Sequence, residues 1–157
     1  MVNIDSTPRL LSLDQKVILT QTDTTVGFLS QNGAKLANIK SRSPHKPFIK
    51  VFQDFKSFHK FGLRIPKRQK NRVRRMKRST FIVKNDSFRI APAPLNSALL
   101  RAMEWSYSTS ANESGKDFER SFCEQKADII IEDKRGLYEE SASNIYKINN
   151  KKTVRLR

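Results

Sequence analysis

Short apolar runs separated by polar loops recur along the whole chain, and this alternation limits the fold more than any other feature. Lys16-Val17-Ile18-Leu19-Thr20, Phe48-Ile49-Lys50-Val51, Tyr107-Ser108-Thr109 and Asp128-Ile129-Ile130-Ile131 read as strands. Thr80-Phe81-Ile82-Val83 and Ser87-Phe88-Arg89-Ile90 read as a hairpin across an Asn85-Asp86 turn. Asn144–Ile148 and Thr153–Leu156 add two more strands. Gly33–Ile39 and Asp117–Gln125 read as helices, as does Leu95–Trp105, with Leu95, Leu99, Ala102 and Met103 at helical spacing. Asp54 suits the cap of a short helix through Phe55, Phe58 and Phe61, and Pro66 the first turn of a helix to Met76. Pro8 breaks any helix near the start, and Pro44 and Pro47 stop the Gly33 helix. One hairpin among crossovers predicts an α/β fold: a single-domain, twisted, mixed parallel and antiparallel sheet with packed helices.

The 157 residues suit one domain over 1–157, with 1–14 as an N-terminal extension. No apolar run approaches the roughly 20 residues that cross a bilayer, and no signal-peptide core is visible. A cytoplasmic protein is expected. The single cysteine, Cys123, excludes an internal disulfide and reads as a packed helix residue. His45 and His59 are the only histidines, and no zinc, Walker or Rossmann pattern occurs.

Charge is the second constraint. The formal net charge is +16, unevenly placed. Residues 60–84 hold 11 basic residues and no acid, and the helix from Pro66 has few apolar positions to bury. Such a segment favours polyanions: a polyphosphate substrate, or RNA.

Two short segments concentrate hydrogen-bonding chemistry. Lys40-Ser41-Arg42 puts two cations two residues apart. Ser108-Thr109-Ser110-Ala111-Asn112 sets hydroxyls and an amide in a loop closing on Ser114-Gly115. Cations hold a phosphate chain's charge while hydroxyls and amides orient its oxygens. Gln21 to Gly27 reads as a polar loop after the first strand, where open α/β sheets place their ligands.

With Gln21-Thr22-Asp23-Thr24-Thr25-Val26-Gly27-Phe28, these segments resemble the YrdC/TsaC family, the threonylcarbamoyl-AMP synthases. That family carries Pro-Thr-(Asp/Glu)-Thr-Val-Tyr-Gly-Leu, then Lys-x-Arg-Pro, then Ser-x-Ser-Ala-Asn-x-Ser-Gly, in this order. The resemblance implies condensation of L-threonine, bicarbonate and ATP, with Mg²⁺, into threonylcarbamoyl-adenylate and pyrophosphate. The product would serve tRNA threonylcarbamoyladenosine modification through downstream threonylcarbamoyl transferase proteins. Lys40, Arg42, Ser110, Asn112 and, in the closing Leu156-Arg157, Arg157 are implied to bind ATP. Thr24, Arg89, Ser108 and Ser143 are implied to bind threonine, with Arg89 on its carboxylate. No side chain is implied as a covalent catalyst, and no protein metal site is implied.

The departures are specific. Gln21 replaces the leading proline, Val26 the tyrosine, and Ser43 separates Arg42 from Pro44. Of the family's Trp-Pro-Gly-Pro-Leu-Thr block only Thr80 survives clearly. Two alternatives stay open: an RNA-binding protein on this fold, acting through residues 60–84, and an adenylating enzyme for another carbamoyl donor.

Overall fold

The computed structural model describes residues 13–43, 46–91 and 97–157. Pro8, Pro44, His45 and Leu95 lie outside the described residues. Among the described residues nine strands form one mixed sheet: β1 (Ile18–Gln21), β2 (Val26–Ser30), β3 (Ile49–Phe52), β4 (Ser79–Val83), β5 (Asp86–Ile90), β6 (Trp105–Ser110), β7 (Ile129–Ile131), β8 (Asn144–Ile148) and β9 (Thr153–Arg155). Their order across the sheet is β7-β1-β2-β6-β3-β5-β4-β8-β9. The pairs β1–β7, β3–β5 and β4–β8 are parallel, and the rest antiparallel. Helices lying wholly within the described residues are α1 (Gly33–Lys40), α2 (Phe55–Lys60), α3 (Lys70–Arg75), α4 (Ser97–Met103) and α5 (Arg120–Lys126), with a 3₁₀ turn over Lys67–Gln69. The expected mixed α/β sheet is therefore present.

Register makes the sheet two-faced. Successive residues of a strand point to opposite faces. The partners Phe28–Thr109, Lys50–Phe88, Phe52–Trp105 and Phe81–Phe88 put an aromatic set on one face. Against it pack Leu36 of α1 and Cys123 of α5 at one end. At the other end Phe58 of α2 and Val73 of α3 join Phe52, Phe81 and Phe88. On the opposite face α4 covers only part of the sheet, where Met103 meets Ile18 and Leu29, and Leu100 meets Val51. The rest of that face carries Gly27, Ser87, Arg89, Ser108 and Ser110, and stays open as a cavity.

The differences from the expected elements have local causes. The Gln21–Gly27 loop shrinks to a turn over Thr22–Thr25, because Thr22 N and Oγ1 both donate to Thr25 O, at 3.2 and 2.6 Å. The chain then doubles back as β2, a wholly buried strand not anticipated in the sequence. Gly27 belongs to that strand: a Cβ there would lie 3.0 Å from Thr109 O and 3.0 Å from Thr22 Cγ2. The predicted Pro66–Met76 helix opens as a 3₁₀ turn, with Gln69 N donating to Pro66 O at 2.8 Å. The hairpin turn falls on Lys84-Asn85, with Lys84 at φ 56°, so Asp86 already belongs to β5. The Leu95–Trp105 helix ends at Met103, since Glu104 takes φ 65° and Trp105 pairs with Phe52. On that helix Leu100 and Met103 are buried and Ala102 is exposed. Asp54 caps α2 as expected, accepting from Ser57 N at 2.7 Å.

Phe88 is the centre of the aromatic face, with its ring 4.6 Å from Phe58 and 6.0 Å from Phe81. Phe88→Ala should destabilise the fold by about 3–5 kcal/mol, read from the urea midpoint at unchanged slope. A loss below about 1 kcal/mol would mean that the face repacks and does not depend on this ring.

Candidate functional site

The open face of the sheet is the floor of a cavity of about 610 Å³. Thr24, Lys40, Arg42, Arg89, Ser108, Ser110, Asn112, Ser143 and Arg157 all line it, so every residue nominated from the sequence converges there. Lys46 lines it too, and no carboxylate does among the described residues.

The Lys40–Arg42 pair is set by how α1 ends. Asn32 caps its start, accepting from Lys35 N. At its end Ser41 takes the left-handed conformation, φ 47°, and Arg42 N donates back to Ala37 O at 3.0 Å. This termination is usually made by glycine. A serine there costs roughly 1–2 kcal/mol of backbone strain, and the reversal brings both cations into one cavity.

Lys40 is buried. Its Nζ donates to Ser110 O at 3.0 Å, to Asn112 O at 2.8 Å and to Asn112 Oδ1. An ammonium has three N–H bonds, so all are taken by the β6 loop. Asn112 Oδ1 also accepts from Ser110 Oγ at 2.8 Å, and Asn112 Nδ2 donates to Lys116 O. Burial, aided by the nearby Arg42, lowers the Lys40 pKa to about 8.

Arg42 differs. Its guanidinium lies 4.7 Å above the Phe48 ring, donates one bond to Pro47 O at 3.2 Å, and leaves its buried Nε without a partner. Burial pulls its pKa below the ordinary arginine value. Lys40 thus holds the loop, while Arg42 keeps donors to spare.

Arg89 stands on β5, an interior strand, 5% exposed and paired with an equally buried Asp23 of the β1–β2 turn. Its Nε approaches Asp23 Oδ1 to 3.1 Å, but off the N–H axis, so neither Nε nor Asp23 Oδ2 has a hydrogen bond. Burial lowers the Arg89 pKa and Asp23 opposes that shift. No spacing in the sequence marks Asp23, in the same block as Thr24, as the counterion of Arg89.

Thr24 is fixed by Thr22 Oγ1, which lies 3.2 Å from both its N and its Oγ1. Arg78, missed in the sequence, donates to Thr24 O at 3.1 Å and Ser141 O at 2.8 Å, tying this turn to the segment before β8. Ser143 lies 2.8 Å from Thr80 Oγ1, and its carbonyl accepts from Arg157 Nε at 3.0 Å. Ser106, Ser108 and Ser110 fall on the cavity-side face of β6, against Trp105 and Tyr107 on the other. That alternation of serines with Trp105, Tyr107 and Thr109 is the sequence signal that marks which face is open.

Among solved structures the chain is similar to P. abyssi Sua5 complexed with L-threonine, with TM-score 0.77 and 16% identity over 96% of this chain and 52% of that one. It is similar to E. coli YciO, with TM-score 0.72 and 17% identity over 96% of this chain and 86% of that one. The chain has the YrdC-like fold. Full-length HypF in a phosphate- and nucleotide-bound form shares it, with TM-score 0.72 and 17% identity over 96% of this chain and 28% of that one. The chain spans about half the length of the Sua5 structure. No family model and no curated protein sequence matches the chain. No helix among the described residues is long and apolar enough to cross a membrane.

Removing one member of a buried pair strands the other charge, at a cost of about 3–5 kcal/mol. Asp23→Ala should therefore lower stability by about that amount, and Asp23→Ala with Arg89→Met should recover much of it. Chemical denaturation checks both. A double variant no more stable than Asp23→Ala would show that the turn needs Asp23 for something besides Arg89.

Proposed function

We propose that this YrdC-like chain is an L-threonylcarbamoyladenylate synthase. It condenses L-threonine, bicarbonate and ATP into threonylcarbamoyl-AMP and pyrophosphate. What carries the reading is the convergence of the motif residues on one cationic cavity that no carboxylate lines among the described residues. Its volume lies within the roughly 300–1,000 Å³ of ligand pockets.

The threonine amine takes up bicarbonate as a carbamate, releasing water. A carbamate oxygen attacks the α-phosphorus as the bond to the β-phosphate oxygen breaks, and pyrophosphate departs. The protein's task is to align two anions and offset growing phosphate charge. Arg42, with Lys46 beside it on the cavity wall, takes the phosphate chain. Lys40 holds Ser110 and Asn112 where they meet the adenylate. Arg89, Thr24, Ser108 and Ser143 receive the threonine, with Arg89 on its carboxylate. Arg157 closes the wall beside Ser143. Mg²⁺ prefers oxygen ligands and commonly arrives on substrate phosphates. That fits a cavity without carboxylates, and no cluster of metal-ligating side chains occurs among the described residues.

Pyrophosphate release from ATP should require both threonine and bicarbonate, and mass spectrometry should find the threonylcarbamoyl adenylate. Arg42→Ala should weaken ATP binding tenfold or more, since charge-assisted contacts contribute about 1.5–3 kcal/mol. Release at the same rate without threonine would instead assign an adenylating enzyme for another carbamoyl donor. ATP affinity unchanged by Arg42→Ala would remove the arginine from the phosphate site.

A further inference from the structure

A second cavity, of about 370 Å³, lies on the aromatic side of the sheet, behind the β4–β5 hairpin. The hairpin serves both cavities. Ile82, Ser87 and Arg89 line the first, and Val83, Asp86 and Phe88 line the second, as alternate residues of the same two strands. Among the described residues none lines both. The other wall is the segment that follows α2, from Gly62 to Pro66. Gly62 takes φ 100° there, and space lies open where its Cβ would be.

The lining divides by chemistry. Phe58, Ile65 and Phe88 form the floor and belong to the aromatic core. Leu63, Pro66 and Val83 are half-buried, so they leave apolar surface for an occupant to cover. The rim is charged. Asp86, its one carboxylate among the described residues, is paired with Lys50 at 3.1 Å. Arg64 and Lys84 are exposed, and neither makes an ion pair among the described residues. Arg64 Nη1 donates to His59 O at 3.2 Å and to Leu63 O at 2.9 Å. Its Nε and Nη2 make no hydrogen bond among the described residues. That edge of a guanidinium can hold both oxygens of a carboxylate.

We propose that this cavity binds a small apolar molecule bearing one carboxylate. Its hydrocarbon part covers Leu63, Pro66 and Val83, and its acid meets Arg64 and Lys84. Small-molecule sites are mostly apolar hollows of roughly 300–1,000 Å³ with a few placed polar groups. The sign of the ligand's charge follows from the rim, where two cations are unpaired and the single acid is offset by Lys50. A neutral molecule would leave both cations unused, and a cation would be repelled. The site stands apart from the proposed reaction, whose residues line the other cavity.

The test is calorimetry on the full chain with 4-phenylbutyrate, 4-phenylbutanol and 4-phenylbutylamine, which share one hydrocarbon part and differ in charge. The acid should bind about tenfold or more tightly than the alcohol, through charge-assisted contacts, and the amine should bind weakest. Arg64→Gln with Lys84→Asn should lower the acid to the alcohol's affinity and leave the alcohol unchanged. Both positions are exposed, and asparagine tolerates the φ of 56° at residue 84, so this rim variant should fold. Val83→Trp, which puts an indole into the cavity, should weaken acid and alcohol alike. Equal binding of acid and alcohol, no binding of the acid, or acid affinity unchanged in the rim variant would overturn the proposal. The first cavity is cationic too, so Arg42→Ala is the control. Acid binding lost in Arg42→Ala and kept in the rim variant would place the molecule there and overturn the proposal as well. A dimer in sedimentation that Val83→Trp abolishes, with the acid unbound, would give the cavity to a second copy of the chain instead. No arm reads pyrophosphate release, so failure of this site and failure of the proposed reaction are distinguishable.

Discussion

The Lys40 ammonium is buried and satisfied entirely by oxygens of the β6 loop. A buried charge is costly unless it is compensated, and here no carboxylate does so. Three oxygen dipoles stabilise the ion, yet its formal charge remains in the cavity, where Arg42, Lys46 and Arg157 add to it. The same contacts fix Ser110 and Asn112. One interaction therefore orders the loop and keeps the cavity cationic. The helix that carries Lys40 is positioned by Leu36 in the core, together with Cys123 of α5. The left-handed Ser41 then turns Arg42 back into the same space.

The sheet supplies the rest through its two faces. Aromatic rings on one side meet the helices and supply burial. The other side lacks a full helical cover, so it must satisfy its polar groups without one. Asp23 offsets Arg89 there, and the Thr22 hydroxyl and Arg78 fix the Thr24 turn. Gly27 permits β2 to lie close to Thr109, so that β2 and β6 form a continuous floor. A polar open face on a rigid sheet is a preorganised site, since few groups must move to receive a ligand.

Much of this was legible in the sequence because it is local. The strand through Tyr107-Ser108-Thr109, the Asp54 cap and the hairpin from Thr80 to Ile90 each follow from neighbouring residues. Lys40, Arg42, Ser110 and Asn112 were nominated from two short segments, and the structure brings the two segments into direct contact. What escaped is non-local. β2 was hidden because Gly27 resembles the end of a loop, when its real cause is Thr109 of β6, far along the chain but adjacent in the sheet. Asp23 and Arg78 act on residues brought near only by the strand order, and no spacing in the chain announces a pairing between Asp23 and Arg89. The break between the 3₁₀ turn and α3 is tied to Gln69, whose partners lie in the β8–β9 turn.

The most direct test of the central claim is ATP affinity against pH, by calorimetry, for the wild type and Lys40→Arg. Burial lowers the free protein's Lys40 pKa to about 8, so the ammonium is intact below that pH and lost above it. Bound phosphate favours the charged form, so binding takes up a proton above that pH and weakens as pH rises. Wild-type affinity should be level below about pH 8 and fall by up to about tenfold per unit above it. Lys40→Arg, charged throughout, should bind with no such slope. A level wild-type profile, or the same fall in both proteins, would contradict the account.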